Sequence, residues 1–291
     1  MASLRIIRRR LRSIQNTKQI MRAMQLVSAS KLKRAQGRLL QARLVLEFLD
    51  GLIDRVLSVT DAPGWDHPLC ARREGLPSAL ILFTSDTGLC GSYNTNLLHL
   101  AQSHLHRDTA RETQIVFIGK KGHRYFTKRG YPATEAFLDM AGRPDPIKAD
   151  AIGRSLVQRF LDGRLSAVDV LYSRFVSSMV YRPTVTRWLP IAPQAPQTEG
   201  RAPRTADEYI FEPSPQRVFA ELLPRWALAK FQLLMLEAFT SEHSARMIAM
   251  KNATDNAEEL IGELTTQRNK IRQASITKEI SEIVGTAEAL K

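Results

Sequence analysis

From Ser241 to Leu290 the chain reads SEHSARMIAMKNATDNAEELIGELTTQRNKIRQASITKEISEIVGTAEAL, with no proline and only two glycines. Nothing in this stretch must break a helix. Met250, Ala253, Ala257, Leu260, Leu264, Gln267, Ile271 and Ala274 follow alternating steps of three and four. That spacing draws a narrow stripe along one side of a helix, as in a coiled-coil seam. Three alanines and a glutamine make the stripe lean, so such a helix can approach one partner closely but has little apolar surface for any other.

The N-terminus supplies a mate. Leu4, Ile7, Leu11, Ile14, Lys18, Met21, Gln25, Ser28, Leu32, Ala35, Leu39, Ala42, Leu46, Leu49, Ile53 and Val56 keep the same alternation, and no proline precedes Pro63. A helix of roughly 55 residues would be about 80 Å long, more than a globular domain's diameter. Two long helices at opposite ends of one chain predict an antiparallel coiled coil with the rest of the chain inserted between them. An ordinary helical bundle is the alternative, and the sustained period argues against it.

Between the helices the pattern changes. DAPGWDHP (61–68) reads as a loop. ALILFT (79–84) and QIVFIG (114–119) are continuous apolar runs of strand length, suited to buried parallel strands. Asn94 can cap a helix running to about His106. KKGHRYFTKRG reads as a short helix ended by Gly130. A strand at 133–137, a helix over 147–161 and a strand over 167–176 follow. The segment 181–191 is predicted at a sheet edge, since Pro183 cannot donate to a ladder. This alternation predicts a small α/β sheet with helices on its faces. Residues 193–208 read as a linker. Ser214-Pro215 opens the last helix, and Pro224 is expected to kink or break it. The predicted parts are the helix of 1–60, an α/β domain with its linkers over 61–206, and the helix of 207–291.

The net charge of +13 is unevenly placed. Residues 1–44 hold twelve Lys or Arg and no acid, whereas 207–291 hold ten basic and thirteen acidic residues. Part of the excess can pair across the two helices, and the rest must face solvent or an acidic partner. Nucleic acid is the natural rival reading of charge alone. A reader of nucleic acid would add aromatic stacking or base-reading groups, and residues 1–44 contain no aromatic. No apolar run reaches the length that spans a bilayer. The Arg-rich start lacks the apolar core and cleavage site of a secretory signal, so a bacterial cytoplasmic protein is expected. Cys70 and Cys90 alone make neither a metal-ligand spacing nor a disulfide framework.

Candidate chemistry is sparse. The turn Ser85-Asp86-Thr87-Gly88-Leu89-Cys90-Gly91 sits between strand and helix, where open α/β sheets bind phosphates. It is neither GxGxxG nor a GxxxxGK[ST] loop, and its bland reading is a tight turn. A dinucleotide-dependent enzyme would need that turn to hold a cofactor. His99, His104 and His106 step by five and two, which does not place metal ligands on one helix face. Cys90 reads as a small buried hydrophobe. No carboxylate pair or catalytic triad stands out, so no catalytic residue, cofactor or metal is expected.

ASLRIIRRRLRSIQNTKQIMRAMQLVSASKLKRAQ, FTSDTGLCGSYNTNL, SEHSARMIAMKNATDNAEELI and RNKIRQASITKEISEIV together resemble the gamma subunits of F-type ATP synthases, over essentially the whole chain. One departure is Thr286-Ala287, where the family usually carries Gly-Ala. The resemblance implies an antiparallel coiled coil with an inserted Rossmann-like domain. It also implies the central rotor stalk, which couples ion flow through the membrane ring to catalysis elsewhere. The implied partners are the alpha and beta subunits, the epsilon subunit and the ring of c subunits, not nucleic acid or a second copy. The implied place is the cytoplasmic side of the bacterial inner membrane, as a peripheral protein. The regulatory dithiol of chloroplast members is missing. Residue by residue, the resemblance marks Met24 as facing a beta-subunit loop and Arg246 as the arginine of the SARM segment. It marks Arg272, Gln273, Thr277 and Glu279 as the polar set that catches beta and alpha loops.

Overall fold

A computed structural model of the chain describes residues 4–59, 67–107, 112–140, 142, 145–191 and 211–289. Ten elements follow in order: α1 (Leu4–Val59), β1 (Ser78–Phe83), α2 (Tyr93–Arg107), β2 (Thr113–Ile118), α3 (Lys120–Thr127), β3 (Ala133–Phe137), α4 (Pro146–Leu161), β4 (Ala167–Phe175), β5 (Tyr181–Leu189) and α5 (Pro215–Ala289). Most of the loop expected at 61–68 and all of the linker expected at 193–208 lie outside the described residues. The chain divides into two units. A terminal unit is drawn from Met1–Ala29 and Arg246–Lys291, and a central unit from Ser30–Ala245.

In the central unit the strands lie in the order β3-β2-β1-β4-β5. The first four are parallel, and β5 returns antiparallel along β4 as an edge strand. β1 is buried along its whole length because helices cover both faces, which is why its sequence is a continuous apolar run. Leu80, Leu82, Ile115 and Phe117 face α2 and α3 through Tyr93, Leu97, Ala101 and Phe126. On the other face Ile81, Phe83, Val116 and Val170 meet α4, together with Leu223, Ala227, Phe231 and Leu234 of α5 and Ile53 and Val56 of α1. Phe231 is the keystone of that layer, fully buried with its ring centroid 4.9 Å from Trp188 and 6.3 Å from Phe83. Arg43–Glu237 and Asp50–Trp226 contacts set α1 antiparallel to α5 within this unit, since the numbers rise on one helix as they fall on the other.

Every one of the sixteen residues predicted for the α1 stripe is buried or half-buried, from Leu4 to Val56. The α5 stripe needs correction. Met250, Ala257, Leu264 and Ile271 turn inward, but Leu260, Gln267 and Ala274 are exposed. Ala253 is half-buried as predicted, beside a buried Thr254, but further on Ile261, Arg268 and Ser275, each one residue later than the predicted alternates, are covered instead. The alternate steps are thus four then three rather than three then four, with the same mean period. Lys18 on α1 reaches Glu258 on α5 at 3.0 Å, an ion pair of the kind the charge asymmetry predicts.

Two local expectations also change. Asn94 is not an N-cap: α2 begins one residue earlier, and the Asn94 carboxamide folds back onto the preceding turn. Pro224 lies inside α5 and does not interrupt it. The lost N–H bond is local, while Leu223, Ala227 and Phe231 on either side are fully buried, so packing holds the helix together across it. The Ser214-Pro215 start is as predicted, with the Arg217 amide donating to Ser214 Oγ at 3.3 Å. At α4 the cap is Asp145, whose carboxylate accepts from the amides of Ile147 and Lys148.

Candidate functional site

The strand order reverses between β1 and β4, and open sheets of this kind bind ligands in the crevice at that point, beyond the carboxyl ends of the strands. Here the turn after β1 uses its groups internally. Asn94 Oδ1 accepts the Ser85 amide at 3.0 Å, and Asn94 Nδ2 donates to Ser85 Oγ at 2.7 Å and to Cys90 Sγ at 3.1 Å. At the neighbouring start of α3, the Lys120 amide donates to Asp86 Oδ1 at 3.0 Å. The next two amides are also taken: Lys121 donates to the Ser85 carbonyl at 3.1 Å and Gly122 to Thr84 Oγ1 at 2.9 Å. A phosphate would look for those same amides, and Asp86 stands in its place. The close approach requires Gly119, at φ +109°, where an added Cβ would lie 2.0 Å from the Thr84 carbonyl oxygen.

The crevice itself is filled by α5. Ser241 Oγ donates to the Ser173 carbonyl at 2.8 Å and Ser244 Oγ to the Ser178 carbonyl at 2.6 Å. Tyr93 donates its hydroxyl to the Ala238 carbonyl at 3.1 Å, Phe239 meets Phe83 edge-on, and His243 Nε2 lies 2.8 Å from the Gly142 carbonyl. Thr240 through Ser244 are 0–2% exposed. The SEHSAR segment, so polar in sequence, is buried with its two serine hydroxyls answering one carbonyl of β4 and one of the β4–β5 turn.

The histidines do not converge. His104 Nε2 is 3.4 Å from Asp169 Oδ2, while His106 Nδ1 is 2.7 Å from the Gln102 carbonyl of its own helix. Among the described residues no three His, Cys, Asp or Glu side chains are grouped to hold a metal. Cys90 is buried, and burial pushes the Cys70 thiol from 9.0 up to about 11. At pH 8 the folded chain should hold roughly a hundredth of the Cys70 thiolate of the unfolded chain, so iodoacetamide should label it far more slowly than in a urea-denatured control. Comparable rates in the two samples would contradict this. The sign for stability follows: the thiol form is favoured in the fold, so this contribution is present below about pH 9 and is lost as pH rises towards 11.

The residues marked by resemblance do not form one pocket. Arg246 is 8% exposed and opens the α5 part of the terminal unit, and Met24 is half-buried on α1. Arg272, Gln273, Thr277 and Glu279 are exposed on consecutive turns of α5, about 40 Å further along the helix from Arg246 at about 1.5 Å per residue. Thr277 donates its hydroxyl to the Gln273 carbonyl at 3.0 Å, and Ser275 donates to Glu279 at 3.2 Å, so two of the four side chains are held by their own helix. Burial on α5 ends at Ser275. Beyond it Ile276, Ile280, Ile283 and Val284 are 48%, 56%, 67% and 55% exposed. Their three-four spacing makes an apolar stripe with no partner among the described residues, continuing the helical period beyond Ala274, where the predicted seam ends.

Comparison with known proteins fits this architecture. The sequence family described as ATP synthase matches residues 3–290. The ATP synthase gamma chain of Moorella thermoacetica is 41% identical over 291 residues, covering all of both chains. That of Symbiobacterium thermophilum is 42% identical over 287 residues, covering 98% of this chain and 97% of the other. The chain belongs to the ATP synthase gamma-chain family. Among solved structures, a chain from the Euglena gracilis mitochondrial ATP synthase described as OSCP/F1/c-ring in rotational state 3 superposes with a TM-score of 0.66 at 17% identity, covering 99% of this chain and 94% of that one. A chain from the rotor of the same enzyme in rotational state 1 gives 0.63, with 94% and 98% covered. The fold is therefore shared at low identity. No described helix is long and apolar enough to cross a membrane.

Proposed function

We propose that this chain is the central rotor stalk of an F-type ATP synthase, with no catalytic site of its own. It would couple ion flow through a membrane ring of c subunits to ATP synthesis or hydrolysis in a hexamer of alpha and beta subunits. The observation that carries this reading beyond family membership is the C-terminal end of α5, where an exposed polar set adjoins an exposed apolar stripe. A single amphipathic helix with an uncovered apolar face is stable only where something surrounds it. A hexameric sleeve would do so. The parts then divide the work: the helices of 1–60 and 207–291 form the axle, and the α/β domain of 61–206 meets the epsilon subunit and the ring. The chain is then peripheral to the inner membrane on its cytoplasmic side.

In this reading the axle acts by differential binding. Each rotor angle presents a different side to each beta subunit and favours one conformation of it over the others. Gln273 and Thr277, one turn apart on one face, take hydrogen bonds from one loop; Arg272 and Glu279 add charged contacts to neighbouring loops. Met24 packs on a beta loop, and Arg246 meets the sleeve lower down. Arg246→Ala and Gln273→Leu should each lower ATP synthesis severalfold in reconstituted complex; Gln273→Leu, at an exposed site, should leave thermal unfolding unchanged, whereas Arg246→Ala also empties a buried position and should lower Tm. Unchanged synthesis in both would remove these residues from the coupling surface.

The deciding experiment is co-expression with alpha and beta subunits, with and without this chain, followed by purification and an ATPase assay. A complex of three alpha, three beta and one copy of this chain, active only when the chain is present, is the expected result. A chain that ignores both subunits and instead binds DNA with steep salt dependence would return the basic α1 surface to first place.

A further inference from the structure

A cleft of about 690 Å³ opens in the central unit between α1, α5 and the face shared by β4 and β5. It is of small-molecule size. Arg43, Arg174, Arg182 and Lys230 line it, against one carboxylate, Glu237. Glu237 is 5% exposed and is answered by Arg43 at 2.7 Å, whose guanidinium also donates to the Phe175 carbonyl. Tyr172 stays protonated beside them, pushed up to about 12 by burial and then by the charge of Glu237. One cation is thus used inside the fold, and three remain, of which Lys230 sits 6.0 Å over the Trp226 ring.

Two of those three stand in an unfavourable place. Arg174 and Arg182 are direct register partners on the antiparallel strands. Like charges opposite one another in such a pair are destabilising. No ion pair relieves either of them among the described residues, and Lys230 adds a third charge to the same cleft. Two guanidinium forks a strand apart can bracket one tetrahedral oxyanion with paired N–H donors, and a lysine supplies a point charge beside them. Leu233, Leu234 and Val176 give the same cleft an apolar wall. We propose that this cleft binds a phosphorylated small molecule, with Arg174 and Arg182 gripping the phosphate and Lys230 assisting. A concave site of this size, with a paired carboxylate at its floor, suits a compact anion better than an acidic protein segment. The inference is independent of the rotor reading, because every residue in it lies in the central unit.

The test is calorimetric titration and thermal unfolding of the full-length chain with pyrophosphate at constant ionic strength, with ATP and AMP as parallel arms. Saturable binding is expected, with Tm raised by about 5 °C at about a hundredfold excess over Kd. Tighter binding of ATP than pyrophosphate would identify a nucleotide; equal binding would identify the phosphate group alone. R174A/R182A should weaken binding at least tenfold while its unliganded Tm stays level or rises, because the like-charge pair is gone. Lys230→Gln, which leaves the strand pair intact, should weaken it severalfold. Equal affinity in all three proteins, a response matched by sodium chloride, or binding of polyglutamate but not pyrophosphate would each overturn the proposal.

Discussion

Replacing Ile276, Ile280 and Ile283 together by serine should leave the chain folded and change its stability by less than about 0.5 kcal/mol, yet cut ATPase activity of the assembled complex more than tenfold. The first half follows from exposure. These side chains are 48–67% accessible, and substitutions at sites that bury nothing seldom move stability further. Serine lowers helix propensity slightly at each position, but this segment has no tertiary neighbour to lose. The second half follows from the proposed sleeve. Three isoleucines entering an apolar collar would each contribute on the order of 1–2 kcal/mol of burial, so their joint loss far exceeds the 1.4 kcal/mol that a tenfold effect requires. Size-exclusion chromatography of the complex separates failed assembly from failed coupling. Full activity in a stoichiometric complex would show that the stripe touches nothing of consequence, and the rotor reading would lose its structural support.

Gly119→Ala should have the largest effect on the chain itself, a loss of roughly 3 kcal/mol or more in urea unfolding. Two terms act together. At φ +109° and ψ 144° the backbone occupies a region almost closed to any residue with a Cβ, a strain of order 1–3 kcal/mol. The Cβ would also lie 2.0 Å from the Thr84 carbonyl oxygen and 2.7 Å from its carbon, both backbone atoms at the end of the central strand. Neither can swing aside as a side chain can. The turn would have to open, releasing the Lys120, Lys121 and Gly122 amides from Asp86, Ser85 and Thr84. A variant as stable as the parent would mean that this turn is far more pliant than its hydrogen bonding implies.

How far the sequence foretold this structure differs between the two long helices. On α1 the stripe residues are mostly large and apolar and recur without a slip over the whole helix, so the inward face is set by their period even where apolar neighbours such as Leu40 and Phe48 stay exposed. On α5 most of the alternate positions hold alanine, threonine, glutamine, arginine or serine, whose burial carries little free energy either way. Leu260 and Ile261 are adjacent and equally apolar, so the choice between them is made by the partner helix and not by hydrophobicity. The sheet was legible because β1 and most of β2 are continuous apolar runs, and β5 because Pro183 confines it to an edge. Asn94 looked like a helix cap because caps and turn anchors use the same carboxamide. Burial of Thr240 to Ser244 was hidden by composition: serine, glutamate and histidine in a row read as surface. The partners of Ser241, His243 and Ser244 lie 66 to 101 residues away in sequence, beyond the reach of any local pattern.

That distance has a consequence for how the chain is made. Tyr93 waits for the Ala238 carbonyl, 145 residues later. At about 5–20 residues per second of synthesis, this is a delay of roughly 7–30 s. During it, β1, β2 and β4 can pair, but the crevice above them stays open, with Phe83 and Tyr93 uncovered. The basic α1 helix likewise has nothing to coil with until the last part of the chain leaves the ribosome. The nascent protein therefore carries an unfinished apolar edge and an unaccompanied cationic helix for most of its synthesis, and both are closed by one final helix. A holdase that covers apolar surface during that interval, and lets go once residue 245 has emerged, would find its natural client here.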